Sequence, residues 1–433
     1  MTNETVVNRE DREQTGTGWY LPQLRWYICG LLFFASTINY IDRQVLGLLK
    51  PVLAKDLGWT EADYGWIVSA FQLAYGLVMP FVGRMIDRVG MRIGYMLAVV
   101  VWSVAAMAHA LAGNAFQFGA ARFALGIGES ANFPAAIKTV AHWFPRRERA
   151  LATGIFNSGT NIGALIAPLM VPYLAVHFGW RSAFIFTGAL GFLWVVAWML
   201  FFREPEGHKW LAPEELALIR SDGESQGVRV PYLKLLASRA AWAFILGKFL
   251  TDPVWWFYLF WLPGFLNTVY KVDLSHLGLP LVVVYQASTV GSIGGGWISS
   301  TMLRRGFTVN RARKTAMLIC ALAVTSAMFV GNAGGNMWLA VGLVSVAAAS
   351  HQGWSANLYT LPSDLLPKSA VASAVGLGGM AGAIAGFLAA PAIGYWLDFS
   401  HKAYGPLFVV AGSMYLIALG VIQLLVPKME RSQ

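Results

Sequence analysis

The decade GRMIDRVGMR, Gly83–Arg92, sets three arginines and an aspartate between two long apolar runs. VSAFQLAYGLVMPFV precedes it and IGYMLAVVVWSVAAMAHALAG follows. Each run belongs to an apolar stretch near the length that crosses a bilayer. A short basic turn between two such stretches reads as a loop at a membrane face.

Working outward, the same pattern fills the chain. Its 433 residues are 57% hydrophobic and 12% charged. Soluble domains carry about 25% charged residues. The mean hydropathy is +0.55. Apolar stretches recur along the whole length, without the short alternating segments of a transmembrane barrel. The sequence therefore predicts an all-α polytopic membrane protein embedded in a lipid bilayer. Net charge is +10. The basic residues cluster between apolar runs, so the charge is not a sign of nucleic acid as a partner. Cys29 and Cys320 both lie inside apolar runs and read as free packing residues. The polar N-terminus carries no cleavable signal pattern and reads as a short disordered tail.

Twelve helices are predicted, near 25–50, 61–84, 92–112, 115–141, 149–177, 181–202, 240–270, 278–303, 313–331, 335–363, 370–397 and 404–426. Residues 203–239 form the one long polar interval and divide the helices six and six. The domain reading is a tail over 1–24, a bundle over 25–202, a central loop over 203–239, a second bundle over 240–427 and a tail over 428–433. LAPEELALI within the central loop reads as a short capped surface helix. Arg84, Arg88, Arg92, Arg146, Arg147, Arg149, Arg304, Arg305, Arg311, Arg313, Lys314, Lys368 and the central loop fall on one face. Lys55, Arg181, Lys271 and Lys402 fall on the other. This asymmetry places both termini in the cytoplasm. GTNIGALIAP (Gly159–Pro168) and GAIAGFLAAP (Gly382–Pro391) both read G-x-x-x-G-x-L-x-A-P, at the same relative place in each half. Small residues at that spacing allow close helix approach. The match points to duplication and to parallel halves related by an axis along the membrane normal.

GRMIDRVGMR also fits G-x-x-x-D-R-x-G-x-R through Gly83, Asp87, Arg88, Gly90 and Arg92. In this the chain resembles the major facilitator superfamily. The resemblance implies twelve transmembrane helices in two pseudo-symmetric six-helix bundles, with these five residues as a conformational latch between the halves. The second half's equivalent, GGWISSTMLRRGFT, has lost the aspartate. NYIDR (Asn39–Arg43), RFALGIGESANFPA and HWFPRRERALATGIFNSG together resemble the anion:cation symporter family. KFLTDPVWWFYLFWLP (Lys248–Pro263) and SHQGWSANLYTLPSDLLP (Ser350–Pro367) resemble its hexuronate transporter branch.

Charges inside a membrane span are functional candidates by default. Arg43 stays ionised when buried and suits a carboxylate. The resemblance implies that it contacts the substrate carboxylate; the competing reading is a neutralising pair with a nearby acid. Asp42 lies about 100° around the helix from Arg43. Relatives imply that it titrates; otherwise it is a half-solvated residue at a helix end. Arg122 and Glu129 are two turns apart on one face. The resemblance makes Glu129 the main proton-coupling site, tuned by Arg122; a structural brace is the alternative. Lys138 reads as a snorkelling residue.

Tyr40 and Tyr75 match positions that hydrogen-bond sugar hydroxyls in the family, though tyrosine also serves as packing. Thr160 stands where an aldonate carrier of the family uses glutamine, which argues against pure aldonate specificity. Asp252 follows Lys248 by one turn, an arrangement that suits a simple brace, and Asp252 is also a substrate-site candidate. Trp256 is a candidate stacking face. Gln352, Ser355 and Tyr359 share a helix face, with His351 beside them, either lining a cavity or bonding between helices.

There is no nucleotide-binding loop, metal-ligand cluster or catalytic constellation, so no cofactor, metal or catalytic residue is expected. The leading expectation is a proton-coupled importer of an aldohexuronate in a bacterial-type inner membrane, functional as a monomer. Its partners would be a small organic anion and protons. The alternatives are a symporter for aldonates, aldarates or aromatic carboxylates, a sugar-acid receptor on the same fold, and a membrane enzyme.

Overall fold

The computed structural model describes residues 20–221 and 235–429. The tail read as disordered lies mostly outside them. Fifteen α-helices are present among the described residues. In the first half they are α1 (Leu24–Leu57), α2 (Glu61–Val89), α3 (Met91–Ala108), α4 (Ala115–Glu129), α5 (Asn132–Trp143), α6 (Arg146–Phe178) and α7 (Trp180–Phe201). The short α8 (Pro213–Arg220) follows. The second half holds α9 (Arg239–Tyr270), α10 (Gly278–Arg304), α11 (Val309–Val324), α12 (Met337–Leu358), α13 (Leu361–Leu365), α14 (Lys368–Phe399) and α15 (Gly405–Leu425).

With α4–α5 and α12–α13 each read as one broken rod, these make six rods in each half. Eight segments are long and apolar enough to cross a membrane by length and composition. The four remaining rods are α1, α4–α5, α9 and α12–α13. They are the first and fourth of each six, and they carry Asp42 and Arg43, Arg122 and Glu129, Lys248 and Asp252, and His351 with Gln352. A polar side chain lowers a segment's hydropathy, and α4 and α5 are in addition short helices of 15 and 12 residues.

Several boundaries differ from the sequence expectation. The first rod continues past Pro51 to Leu57. The rod expected over 115–141 breaks immediately after Glu129. Pro134 supplies no N–H to the Ser130 carbonyl and its ring crowds that group, which weakens the helix at the place where it breaks. The ninth rod ends as a 3-10 helix over Thr325–Ala333. The central-loop helix is shorter than expected and has no side-chain cap, beginning instead on Pro213. It is also not a free surface helix. Glu215 accepts from the backbone N–H of Leu24 at 3.0 Å and from Arg25 Nη1 at 2.7 Å. Arg25 Nε donates to Glu148 at 2.9 Å, so α1, α6 and α8 are tied at the face that carries the basic loops.

The halves meet along α2 with α14, α1 with α9 and α6 with α10. A Cβ on Gly65 would lie 2.6 Å from the Ala390 carbonyl oxygen, so α2 and α14 touch backbone to backbone there. Every described hydrogen bond or ion pair joining the halves lies toward the face opposite the basic loops. Asp398, at the end of α14, accepts from the N–H groups of Glu61 at 2.9 Å and Ala62 at 2.8 Å. It thereby caps the first turn of α2, where free N–H groups favour an anion. Glu61 is paired with Lys50 of α1 and lies 3.9 Å from Lys402. Trp66 Nε1 donates to Tyr395 at 3.0 Å and Ser69 to the Phe387 carbonyl at 2.8 Å. Among the described residues no such bond joins the halves at the basic face. The described bonds between the halves therefore gather at one face.

Candidate functional site

Arg43 lies midway along α1 and is 4% exposed. Its Nε and Nη2 donate to Glu129 Oε2 at 2.9 and 2.7 Å. Asn39, one turn earlier on the same face, accepts from Nη2 at 3.4 Å. The guanidinium carbon stands 5.0 Å from the ring centre of Tyr40, 4.9 Å from Phe71, 5.2 Å from Tyr75 and 5.5 Å from Trp256. Four aromatic faces from α1, α2 and α9 thus enclose one cation, an attractive arrangement.

Glu129 is brought there by close packing of α4. A Cβ on Gly126 would sit 2.6 Å from the Phe71 carbonyl oxygen, and one on Gly128 2.6 Å from the Trp102 nitrogen. Arg122, on the same face two turns earlier, donates to the Arg43 carbonyl at 2.8 Å. It braces the α1 backbone rather than bonding Glu129.

Asp42 points away from Arg43, into the first half. Neither of its oxygens has a hydrogen bond within normal geometry among the described residues. Thr187 of α7, Glu129 and Arg122 lie toward it. It is 3% exposed, so it is not a half-solvated residue at a helix end.

Facing this group from the second half is a triad. Lys248 Nζ lies 2.7 Å from Asp252 Oδ2 and donates to the Tyr359 hydroxyl at 3.0 Å. Tyr359 is 44% exposed. Tyr40 interacts electrostatically with Arg43 on one side and with Lys248 and Tyr359 on the other. Buried polar atoms around the Arg43–Trp256 contact have no hydrogen bond: Glu129 Oε1, Asn39 Nδ2, the Gln72 amide and Trp256 Nε1. A fixed cation held by one acid and ringed by aromatic faces and amides is suited to exchange that acid for a carboxylate carried on a polyol.

A cleft of about 770 Å³ lies elsewhere, between α6 and α10 at the face opposite the basic loops, lined by Pro168, Tyr173, His177 and Lys271 among others. None of the candidate site residues lines it.

The chain matches the family model of the Major Facilitator Superfamily over residues 32–390. It is a major facilitator. The hexuronate transporter of Escherichia coli (strain K12) is 33% identical over 406 residues, covering 92% of this chain and 93% of the relative. The D-galactonate transporter of Escherichia coli O6:H1 is 28% identical over 420 residues, covering 94% and 96%. Among solved structures, the inward open conformation of the xylose transporter XylE from E. coli superposes with a TM-score of 0.72, covering 93% of this chain and 96% of that chain, with 16% identity. This facilitator is therefore a membrane transporter and not an enzyme.

The facilitator brings Arg43, Tyr40, Tyr75, Glu129 and Trp256 together, with Asp252 and Tyr359 opposite. Gln352 and Ser355 are half-buried on α12. One expected site residue is turned aside. His351 is stacked on Trp255 at 5.1 Å and its Nδ1 is hydrogen-bonded to Tyr415, so its ring is engaged in the second-half core. Thr160 donates to the Asn157 carbonyl of its own helix at 2.7 Å.

Of the latch residues, the side chains of Gly83 and Asp87 lie outside the description. Gly90 turns the chain at φ +85°, in the left-handed region that favours glycine. Arg88 is exposed. Arg92 donates to the Met199 carbonyl of α7, inside the first half, so it does not bridge the halves here.

The sequence reading missed Asn39, Phe71 and Gln72, and it treated Lys248 only as a brace. Asn39 had a signal, being polar and one turn from Arg43 in NYIDR. Gln72 had a comparable one, as a lone amide in an apolar run.

Proposed function

We propose that this facilitator is a proton-coupled importer of an aldohexuronate such as glucuronate or galacturonate. The observation that carries the reading is the Arg43–Glu129 ion pair inside its aromatic enclosure. Arg43 anchors the substrate carboxylate, and Tyr40, Tyr75 and Trp256 present rings and polar tips to the sugar. Substrate and Glu129 then compete for one guanidinium. Two carboxylates do not both stay ionised beside a single cation in a dry site, so a proton on Glu129 accompanies the substrate. Asp42 and Arg122 belong to the same proton-coupling group.

Bundles over residues 25–202 and 240–427 rock about this site. Proton and substrate together favour the occluded state, which is the condition for coupling. The basic face is cytoplasmic in this reading, by the positive-inside bias. The protein then sits in the inner membrane as a functional monomer, and the lock at Asp398 closes the outer side. The Gly83–Arg92 turn latches the inner side in the opposite state. The 33% identity to a hexuronate transporter over nearly the whole chain supports the substrate class.

A second reading, an aldonate carrier, is favoured by the similarity to the D-galactonate transporter. Uptake of labelled galacturonate and glucuronate into proteoliposomes, with and without an inward proton gradient and with galactonate as competitor, separates the two. Gradient-driven uronate accumulation poorly inhibited by galactonate supports the first. Strong galactonate inhibition with no uronate uptake replaces it with the second.

A further inference from the structure

The proposed transport uses Arg43 for one end of the substrate and leaves a second buried cation unassigned. Lys248 is 6% exposed. An ammonium has three N–H donors. Asp252 and Tyr359 account for two, and the third has no partner among the described residues.

The triad is not sealed as a brace between helices would be. Tyr359 is exposed and Asp252 half-buried. Its position is deliberate in the packing. A Cβ on Gly382 of α14 would overlap Asp252 Oδ2, so glycine there leaves room for the carboxylate. Gly386, one turn on, does the same for Trp256 at 3.1 Å and Gln72 at 3.2 Å. The repeat glycines of the first half, Gly159 and Gly163, meet α1 most closely at the Phe33 and Thr37 backbone carbonyls, at 2.3 and 2.4 Å. The second-half pair instead meets side chains, Asp252, Trp256 and Gln72.

The Arg43 guanidinium lies 5.0 Å from the Tyr40 ring and 5.5 Å from the Trp256 ring, and Trp256 is one turn along α9 from Asp252, so the two cations are linked through this aromatic wall. A six-carbon acid held by its carboxylate at Arg43 and laid along Tyr40 directs its other end to the triad.

We propose that the Lys248–Asp252–Tyr359 triad is the specificity site for the end of the sugar acid remote from its carboxylate, and that Asp252, by neutralising Lys248, restricts the carrier to monoanions. The inference rests on the uronate reading above. A uronate presents hydroxyls and a ring oxygen at that end, which Lys248 and Tyr359 can bond while Lys248 stays neutralised. An aldarate presents a second carboxylate beside Asp252, and like charges there are repelled unless Asp252 takes up a proton. Exclusion of the dianion is thus built in as a repulsive element.

The test is competition of galactarate, a dicarboxylate, against labelled galacturonate uptake in proteoliposomes. In Asp252→Asn the uncompensated Lys248 should raise the relative affinity for galactarate on the order of tenfold. Lys248→Met combined with Asp252→Asn should abolish the gain. An unchanged preference in Asp252→Asn, with uronate uptake intact in the parent protein, overturns the proposal alone. Absence of uronate uptake in the parent protein overturns the function reading and the proposal with it. If Asp252→Asn does not fold, the parent protein decides: galactarate inhibition should strengthen more steeply than galactonate inhibition as pH is lowered over the range in which galactarate itself stays a dianion. Parallel curves overturn the proposal.

Discussion

Arg43 sends both of its hydrogen bonds to Glu129 onto a single oxygen, Oε2, and Glu129 Oε1 is left without one. The pair is held at one corner rather than clamped edge to edge. A bidentate arginine–carboxylate contact is the stronger arrangement. An incoming substrate carboxylate that takes a full edge of the guanidinium can therefore displace Glu129.

Arg43→Ala should abolish binding of galacturonate, and it should also destabilise the protein, because Glu129 loses its partner in a fully buried place. Breaking a buried pair from one side costs about 3–5 kcal/mol. Arg43→Ala combined with Glu129→Gln should recover thermal stability without recovering binding. Thermal melts and ligand binding on the purified variants check this; retained affinity in either would refute the anchoring role.

Glu129→Gln should keep substrate exchange and lose uphill accumulation on a pH gradient. The amide retains size and a hydrogen-bonding oxygen for Arg43 but cannot carry the proton. Counterflow and gradient-driven uptake, measured side by side in proteoliposomes, separate the two activities. A variant that still concentrates substrate on a pH gradient would show that coupling resides elsewhere.

Arg43 is paired with Glu129 and Lys248 with Asp252, so each cation of the site has its own acid. A monoanion arriving with one proton preserves that balance. Uptake should therefore respond to the pH gradient and be insensitive to membrane potential imposed by a potassium gradient with valinomycin. Potential-driven accumulation would require more than one proton per substrate.

Asp398→Ala should loosen the locked face, since two N–H groups of α2 lose their acceptor. Loss of a helix cap costs ~0.5–2 kcal/mol, which corresponds to roughly a two- to thirty-fold rise in opening. Labelling of Val68→Cys by an impermeant thiol reagent added from that face should accelerate accordingly. Cys29 and Cys320 are both buried, which keeps the background low. Unchanged labelling would place the lock elsewhere.

Gly65→Ala should act in the same direction by a different route. The added methyl meets the Ala390 carbonyl oxygen, a rigid backbone atom, at 2.6 Å, so α2 and α14 must separate. Faster labelling of Val68→Cys with slower net uptake is the expected result, and a neutral effect on both would show that the helices relax elsewhere.

Much of the site was legible because a charge in an apolar run stands out from its neighbours. Arg43, Arg122, Glu129 and Asp252 announce themselves this way, and helical spacing places Arg122 and Glu129 on one face. The partner each one takes was not legible. Helical periodicity puts Arg122 and Glu129 together, yet Glu129 bonds Arg43 of another helix, and Arg122 bonds a carbonyl. His351 shows the same limit. Its polarity was evident, but its direction depends on Trp255 and Tyr415, which come from other helices. Glu215 looked like a surface residue of a polar loop, and only its contact with the start of α1 gives it a role.

The sequence by itself determined the solvent, the number of rods, their duplication and the identity of the intramembrane charges. Each of these depends on local composition or on repeats along the chain, and a bilayer enforces them by requiring long apolar helices. Tertiary structure alone decided that Arg43 meets Glu129 across helices, that Lys248 bonds Tyr359 of another rod, and at which face the described bonds between the halves gather. Those facts depend on how closely one backbone can approach another at Gly126, Gly382 and Gly65. Such approaches are set by packing between residues far apart in the chain, and no local pattern records them.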